Sequence, residues 1–133
     1  FAVQIAVALG ARVVGTASAA NEEFVRGLGA EFLDYRARRI PANVDAALDP
    51  IGGETLELTK RVAARVVSIV EPGVGHAYHY VRPDGAQLAE IGRMLDEGRL
   101  RVHVQQSFPL EDAVAAHELL EAGHVRGKLV LTV

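Results

Sequence analysis

The sequence predicts an α/β domain of the doubly wound class, a mostly parallel sheet with helices on both faces. Two observations carry the prediction. Helical stretches alternate with short runs rich in β-branched residues from one end of the chain to the other, and those runs are apolar at consecutive positions, as in a strand buried on both faces. Alternation of this kind, with right-handed crossovers, lays the strands parallel and brings the helices onto the sheet. No repeat, low-complexity tract or long linker interrupts it, and 133 residues suit one domain with a hydrophobic core better than two.

Residues 1–9 set Ile5, Ala6 and Leu9 beside Ala2 and Val3 on one helical face, with Gly10 as the stop. ARVVGTAS at 11–18 is too short for a helix and reads as a buried strand. Ser18 or Asn21 then caps a helix over 21–28, closed by Gly29. A strand at 31–35 leads into the polar, proline-bearing RARRIPAN loop. The run at 44–48 reaches a sharp turn, Asp49-Pro50-Ile51-Gly52-Gly53, before a helix at 54–63 and the strand RVVSIV at 65–70, which EPGVG ends.

HAYHYV at 76–81 alternates with period two, which suits a strand with unlike faces at a sheet edge or an interface. Pro83-Asp84-Gly85 is a turn, and Asp84 caps a helix through residue 97 that turns Leu88, Ile91, Met94 and Leu95 inward. Gly98 stops it. A strand at 100–104, a helix at 110–122 opened by Pro109, and an apolar strand at 128–133 complete the chain.

Composition narrows the function classes. Half the residues are hydrophobic and 23% are charged, in apolar runs far shorter than a bilayer crossing needs, so no membrane span is expected. The net charge of −3 offers no basic field for a nucleic acid; the arginines at 36, 38 and 39 make only a local cluster. Without cysteine there is no disulfide, thiolate zinc cluster or cysteine nucleophile. That absence, and opening residues without the pattern of a signal peptide, make the cytoplasm the expected location.

In a doubly wound sheet, ligands lie at the carboxyl ends of the strands. The first such loop, GTASAAN, carries Thr16, Ser18 and Asn21 and no acidic residue between Val13 and Ala20. An acid there would bond the ribose hydroxyls of NAD; without one, nothing repels the 2′-phosphate of NADP. Tyr35 and Arg36 could add a hydroxyl and a positive charge. Ser18 and Asn21 equally suit plain helix capping. Asp49 is either a functional carboxylate or a turn residue bonding its own backbone, and the glycines after it suit a strand-to-helix turn as well as a close ligand. Histidines 76, 79, 103, 117 and 124 form no paired ligand spacing and read as surface or packing residues.

Taken in order, AVQIAVALGARVVGTAS, LGAEFLDYR, VDAALDPIGGETL, RVVSIV, RPDGAQLAEIGRMLDEGRLR and FPLEDAVAAHELLEAGHVRGKLVLTV resemble the cofactor-binding domain of medium-chain dehydrogenases/reductases, in the quinone-oxidoreductase and zinc-binding-dehydrogenase-like branch. The resemblance implies a Rossmann-like domain over 1–133, preceded by a GroES-like, barrel-shaped catalytic domain and by the family's first strand and glycine-rich turn. It implies NADPH as cofactor, with NAD as the alternative, and hydride transfer to a quinone or enone-like small molecule held between the two domains. By position, Ser18 and Asn21 lie near the adenosine phosphate, with Tyr35 approaching from the neighbouring strand. Asn21 stands where many relatives have lysine. Asp49, Ile51 and Gly52 line the cofactor, Ser68, Ile69 and Val70 run beside the nicotinamide ribose, and Arg126 and Lys128 enter the cleft. The resemblance implies no catalytic residue and no zinc ligand within this chain, and it implies that HAYHYV is the strand through which a homodimer would form. Where relatives have Pro-Gly-Gly before the RVVSIV strand, this chain has Val62-Ala63-Ala64-Arg65, a shorter connection that is expected to be strained. A non-catalytic binding or assembly module descended from such an enzyme is the alternative.

Overall fold

Every strand pairing among the described residues is parallel. The computed structural model describes residues 1–37, 41, 43–71, 77–78 and 82–133, the side chains of 77–78 excepted. Its elements, in order, are α1 (Ala2–Ala8), β1 (Val14–Ala17), α2 (Glu22–Gly27), β2 (Glu31–Asp34), β3 (Ala47–Asp49), α3 (Gly53–Val62), β4 (Val66–Ser68), β5 (Ala77–Tyr78), α4 (Gly85–Asp96), β6 (Val104–Pro109), α5 (Ala113–Glu121) and β7 (Lys128–Thr132). Single 3₁₀ turns occupy Ala19–Asn21, Tyr35–Ala37 and Leu110–Asp112.

The strands form three ladders, β1-β2, β3-β4-β5 and β6-β7. β1 runs beside β2 so that Ala17 faces Asp34, and β3 beside β4 so that Asp49 faces Ser68. The carboxyl ends within each ladder therefore coincide, and the loops leaving them open at one edge. The outer edges of β1 and β3 meet no strand among the described residues. At the opposite end of the first ladder, Arg12 and Glu31 form an exposed ion pair at 2.5 Å.

Helix packing follows from small residues at the contacts. A Cβ on Gly15 of β1 would lie 2.8 Å from Val25 Cγ1, so the glycine lets α2 rest close against the strand, where Val25 and Ala30 are buried. Leu56 of α3 packs with Ala63 and Val66 against Val44 and Ala47, anchoring α3 to the second ladder. The short connection after α3 is unstrained: Ala63 is extended and bridges Val44, whose backbone exchanges hydrogen bonds with Val62 and Ala64.

Three expectations shift. The strand expected at 100–104 begins at 104 instead, because the Leu100 N–H donates to the Met94 carbonyl at 3.0 Å and the Arg101 N–H to Gln4 Oε1 at 2.8 Å, leaving neither for a ladder. The same bonds seal fully buried Leu100 against buried Met94 and tie α1 to the end of α4. Leu88, expected inward, is 68% exposed: α4 is buried at its C-terminal end, beyond the reach of Leu88. Asp84 does cap α4, accepting from the N–H groups of Ala86 and Gln87. Ser18 and Asn21, by contrast, make no side-chain cap to the helix they precede. Of HAYHYV, residues 77–78 form β5 beside β4, and 76 and 79–81 lie outside the described residues. Among the described residues no helix is long and apolar enough to cross a membrane.

Candidate functional site

The loop after β1 is built from three side chains. Asn21 donates its amide N–H to Ser18 Oγ at 3.2 Å, closing the 3₁₀ turn on itself. From the far end of the sequence Arg126 arrives: its guanidinium donates to the Ala20 carbonyl at 3.2 Å and lies over the Phe24 ring at 5.2 Å. The Arg126 backbone N–H donates to Gln105 Oε1 at 2.5 Å, so β6 fixes the segment that carries the cation. Phe24 is held in turn by an edge contact to His103, with ring centroids 4.9 Å apart. The nearby helix acid Glu22 is engaged by Arg26 at 2.9 Å. The result is a hydroxyl, an amide and a guanidinium at one strand end, a donor-rich arrangement suited to an anion.

The ends of β3 and β4 form a different structure. Asp49 is 1% exposed and Ser68 3%. The Asp49 carboxylate accepts from Ile51 N–H at 3.3 Å, from Gly52 N–H at 2.9 Å and from the Ser68 hydroxyl at 3.4 Å. Ser68 Oγ accepts from the N–H groups of Val70 and Glu71 at 3.2 and 3.0 Å. Glu71 reaches back, its carboxylate accepting from Gly53 N–H at 2.5 Å at the start of α3. Asp49 thus resolves into a residue that organises its own turn and the neighbouring strand. Gly52 adopts φ 81° and ψ −167°, a conformation essentially reserved for glycine. Around this knot Ile51 is 71% exposed, and Ile69 and Val70 are each 45% exposed, leaving an apolar rim at the strand ends.

Two other residues singled out by sequence stand apart. Tyr35, 53% exposed, follows β2 with the Arg36 guanidinium 5.6 Å above its ring, and no described contact joins it to Ser18 or Asn21. Lys128 sits with its ammonium 5.8 Å from the Phe1 ring, lining a cleft of about 260 Å³ with Gln4, Phe24, Arg101 and His103, so it shares Phe24 with Arg126 and makes no described contact with Ser18 or Asn21. That cleft and one of about 410 Å³ between Val7, Gly29 and Arg99 lie along α1, not at the strand carboxyl ends. Glu71 escaped sequence reading, since nothing local marks the residue after the RVVSIV strand as a partner of Gly53; Arg126 was expected in the cleft, but its bond to Ala20 spans 106 positions, beyond any local pattern.

Comparison with known proteins gives concordant results. Residues 28–131 match the family model described as zinc-binding dehydrogenase. The mitochondrial NAD(P)H oxidoreductase RTN4IP1 of Danio rerio is 30% identical, the alignment covering 100% of this chain and 46% of the relative. The quinone oxidoreductase of Coxiella burnetii superposes with a TM-score of 0.87 at 32% identity, covering 99% of this chain and 48% of that one. An NAD-dependent alcohol dehydrogenase superposes with a TM-score of 0.78 at 29% identity, covering 99% and 47%. The chain spans about half the length of these relatives, and its fold is the doubly wound, Rossmann-type α/β fold of the part it matches. The expected cytoplasmic location is overturned, since the zebrafish relative and its mouse counterpart are mitochondrial. Lack of cysteine speaks only to redox conditions, which do not separate one reducing compartment from another.

Proposed function

Because the chain belongs to the zinc-binding dehydrogenase family, we propose that it is the cofactor-binding half of an oxidoreductase that uses NADPH to reduce a quinone or enone-like small molecule. The observation carrying this reading is the convergence of Arg126 on the Ser18–Asn21 turn, in a loop with no acid between Val13 and Ala20. Ser18, Asn21 and Arg126 would hold the 2′-phosphate, the guanidinium supplying both charge and directional donors. Ile51, Gly52, Ile69 and Val70 would line the remainder of the dinucleotide. The bound cofactor supplies the hydride; the protein supplies orientation and a dry surface. Asp49 takes no proton in this scheme, its oxygens being committed to Ile51, Gly52 and Ser68. A preceding GroES-like domain of the same protein would complete the substrate pocket, and the edge of β5 away from β4 would join two subunits. The described residues bring together no three metal-ligating side chains, so they do not fit a zinc ion.

A second reading, NAD as cofactor, is favoured by Asp34, which ends β2 opposite Ala17 and whose carboxylate accepts from the Arg36 N–H at 2.9 Å. An acid so placed could turn to ribose hydroxyls. Titrating the full-length protein with NADPH and NADH, followed by reduced-nicotinamide fluorescence, separates the readings. Tighter binding of NADPH is expected; preference for NADH would transfer the site to Asp34, and binding of neither would leave a non-catalytic assembly module.

A further inference from the structure

The hydrogen bonds at the ends of β3 and β4 close into a ring. Asp49 holds Gly52 and Ser68; Ser68 holds the N–H of Glu71; Glu71 holds the N–H of Gly53, the residue after Gly52. Each link but one lies between residues near each other in sequence or paired in the ladder. The exception is Glu71 to Gly53, 18 positions apart, which joins the loop after β4 to the first turn of α3. Among the described residues no other side chain fills that role: the N-cap residue of α3 is Gly52, without a side chain to offer, and a carboxylate is the group that a helix N-terminus favours. The two segments are in close contact, since a Cβ on Gly52 would meet Glu71 Oε1 at 2.5 Å and Val70 Cγ2 at 3.2 Å.

We infer that Glu71 is a positioning residue, whose carboxylate locks the turn bearing Ile51 against the loop bearing Ile69 and Val70, so that the apolar rim is preformed for the dinucleotide. The inference rests on the nicotinamide-cofactor reading above. Preorganisation of this kind lowers the ordering cost of binding without Glu71 touching the ligand. Without the carboxylate, the Gly53 N–H loses its partner and the start of α3 is no longer fastened to the loop after β4, so the two sides of the rim are joined only through Asp49 and Ser68. Because the lock shares no residue and no described hydrogen bond with the Arg126 cluster, it should act on NADPH and NADH alike.

Glu71→Ala and Glu71→Gln in the full-length protein test this, read by nicotinamide fluorescence titration and by hydrogen exchange at the Gly53 amide. Glu71→Ala should weaken both cofactors about tenfold, leave their affinity ratio unchanged and speed exchange at Gly53, as expected for loss of one charge-assisted hydrogen bond. Glu71→Gln, whose amide oxygen can still accept from Gly53, should recover most of the affinity and the protection. Wild-type affinity in Glu71→Ala, or a folded Glu71→Gln as weak as the alanine variant, would overturn the inference. If Glu71→Ala does not fold, the glutamine variant alone decides. If the wild-type protein binds neither cofactor, the cofactor reading fails and the inference fails with it, whereas unchanged Gly53 exchange in Glu71→Ala would overturn the lock alone.

Discussion

The two strand ends that make up the candidate site solve opposite problems. At β3 and β4, a carboxylate and a hydroxyl are withdrawn from water, Asp49 to 1% and Ser68 to 3% exposure, and every hydrogen-bonding capacity they have must be met inside the protein. The response is a closed network that leaves only apolar side chains facing out. At β1, Ser18, Asn21 and Arg126 remain in contact with solvent, and their hydrogen bonds to one another and to the Ala20 carbonyl leave donors to spare. One end is fixed before any ligand arrives, and the other is adaptable and charged. That division suits a ligand with an anionic end and a flat, less polar end.

The contrast is broken most severely at Asp49. Asp49→Ala leaves two backbone N–H groups and the Ser68 hydroxyl without their buried acceptor and should destabilise the full-length protein by about 3 kcal/mol in urea unfolding. Asp49→Asn, which keeps one carbonyl oxygen, should lose clearly less. Equal losses in the two variants would mean that the network is not what holds the strand ends together.

Much of this arrangement was legible from sequence, for identifiable reasons. Strand-helix alternation, the turn after Asp49 and the Asp84 cap are local, set by residues a few positions apart, and they appear where expected. The start of β6 was not legible, because it depends on Gln4 claiming the N–H of Arg101 from 97 positions away. Ser18 and Asn21 were ambiguous between capping and binding, and only their mutual bond removes the capping role. Lys128 and Arg126, two positions apart, looked alike in the sequence. The glycine between them, at φ 85° and pressed against the His103 carbonyl, lets the chain turn there, and the two cations go to different neighbours.

Gly52 offers the next test of the fixed end. Its φ of 81° with ψ −167° excludes side chains, and an added Cβ would strike Glu71 Oε1. Gly52→Ala should cost about 2 kcal/mol in backbone strain and dislodge the Glu71 carboxylate from Gly53. The measurement is unfolding free energy together with hydrogen exchange at Gly53; unchanged exchange would show that the loop yields instead of the carboxylate.

At the adaptable end, Arg126→Ala should lower affinity for NADPH about tenfold and for NADH less than about twofold, because only NADPH carries the extra phosphate. Stability should hardly change, since the guanidinium is exposed and its protein partners are one carbonyl and one ring face. An equal loss for both cofactors would move Arg126 from reading the 2′-phosphate to supporting the loop.

The smallest effect belongs to the ion pair at the opposite end of the first ladder, where no ligand is expected. The Arg12 guanidinium holds the Glu31 carboxyl below its ordinary value, first through its hydrogen bonds and then through its charge. A carboxyl whose folded value is depressed contributes stability that is complete above its unfolded value, near about 4.3, and is lost as pH falls through the lower folded value. Both side chains are exposed, at 83% and 53%, so solvent and salt screen the pair strongly. Wild type should therefore exceed Glu31→Gln in Tm by a small margin at neutral pH, converge with it as pH drops below about 4, and converge with it at neutral pH in molar salt. A margin that persists in acid would assign the contribution of Glu31 to packing at the start of β2 and not to its charge.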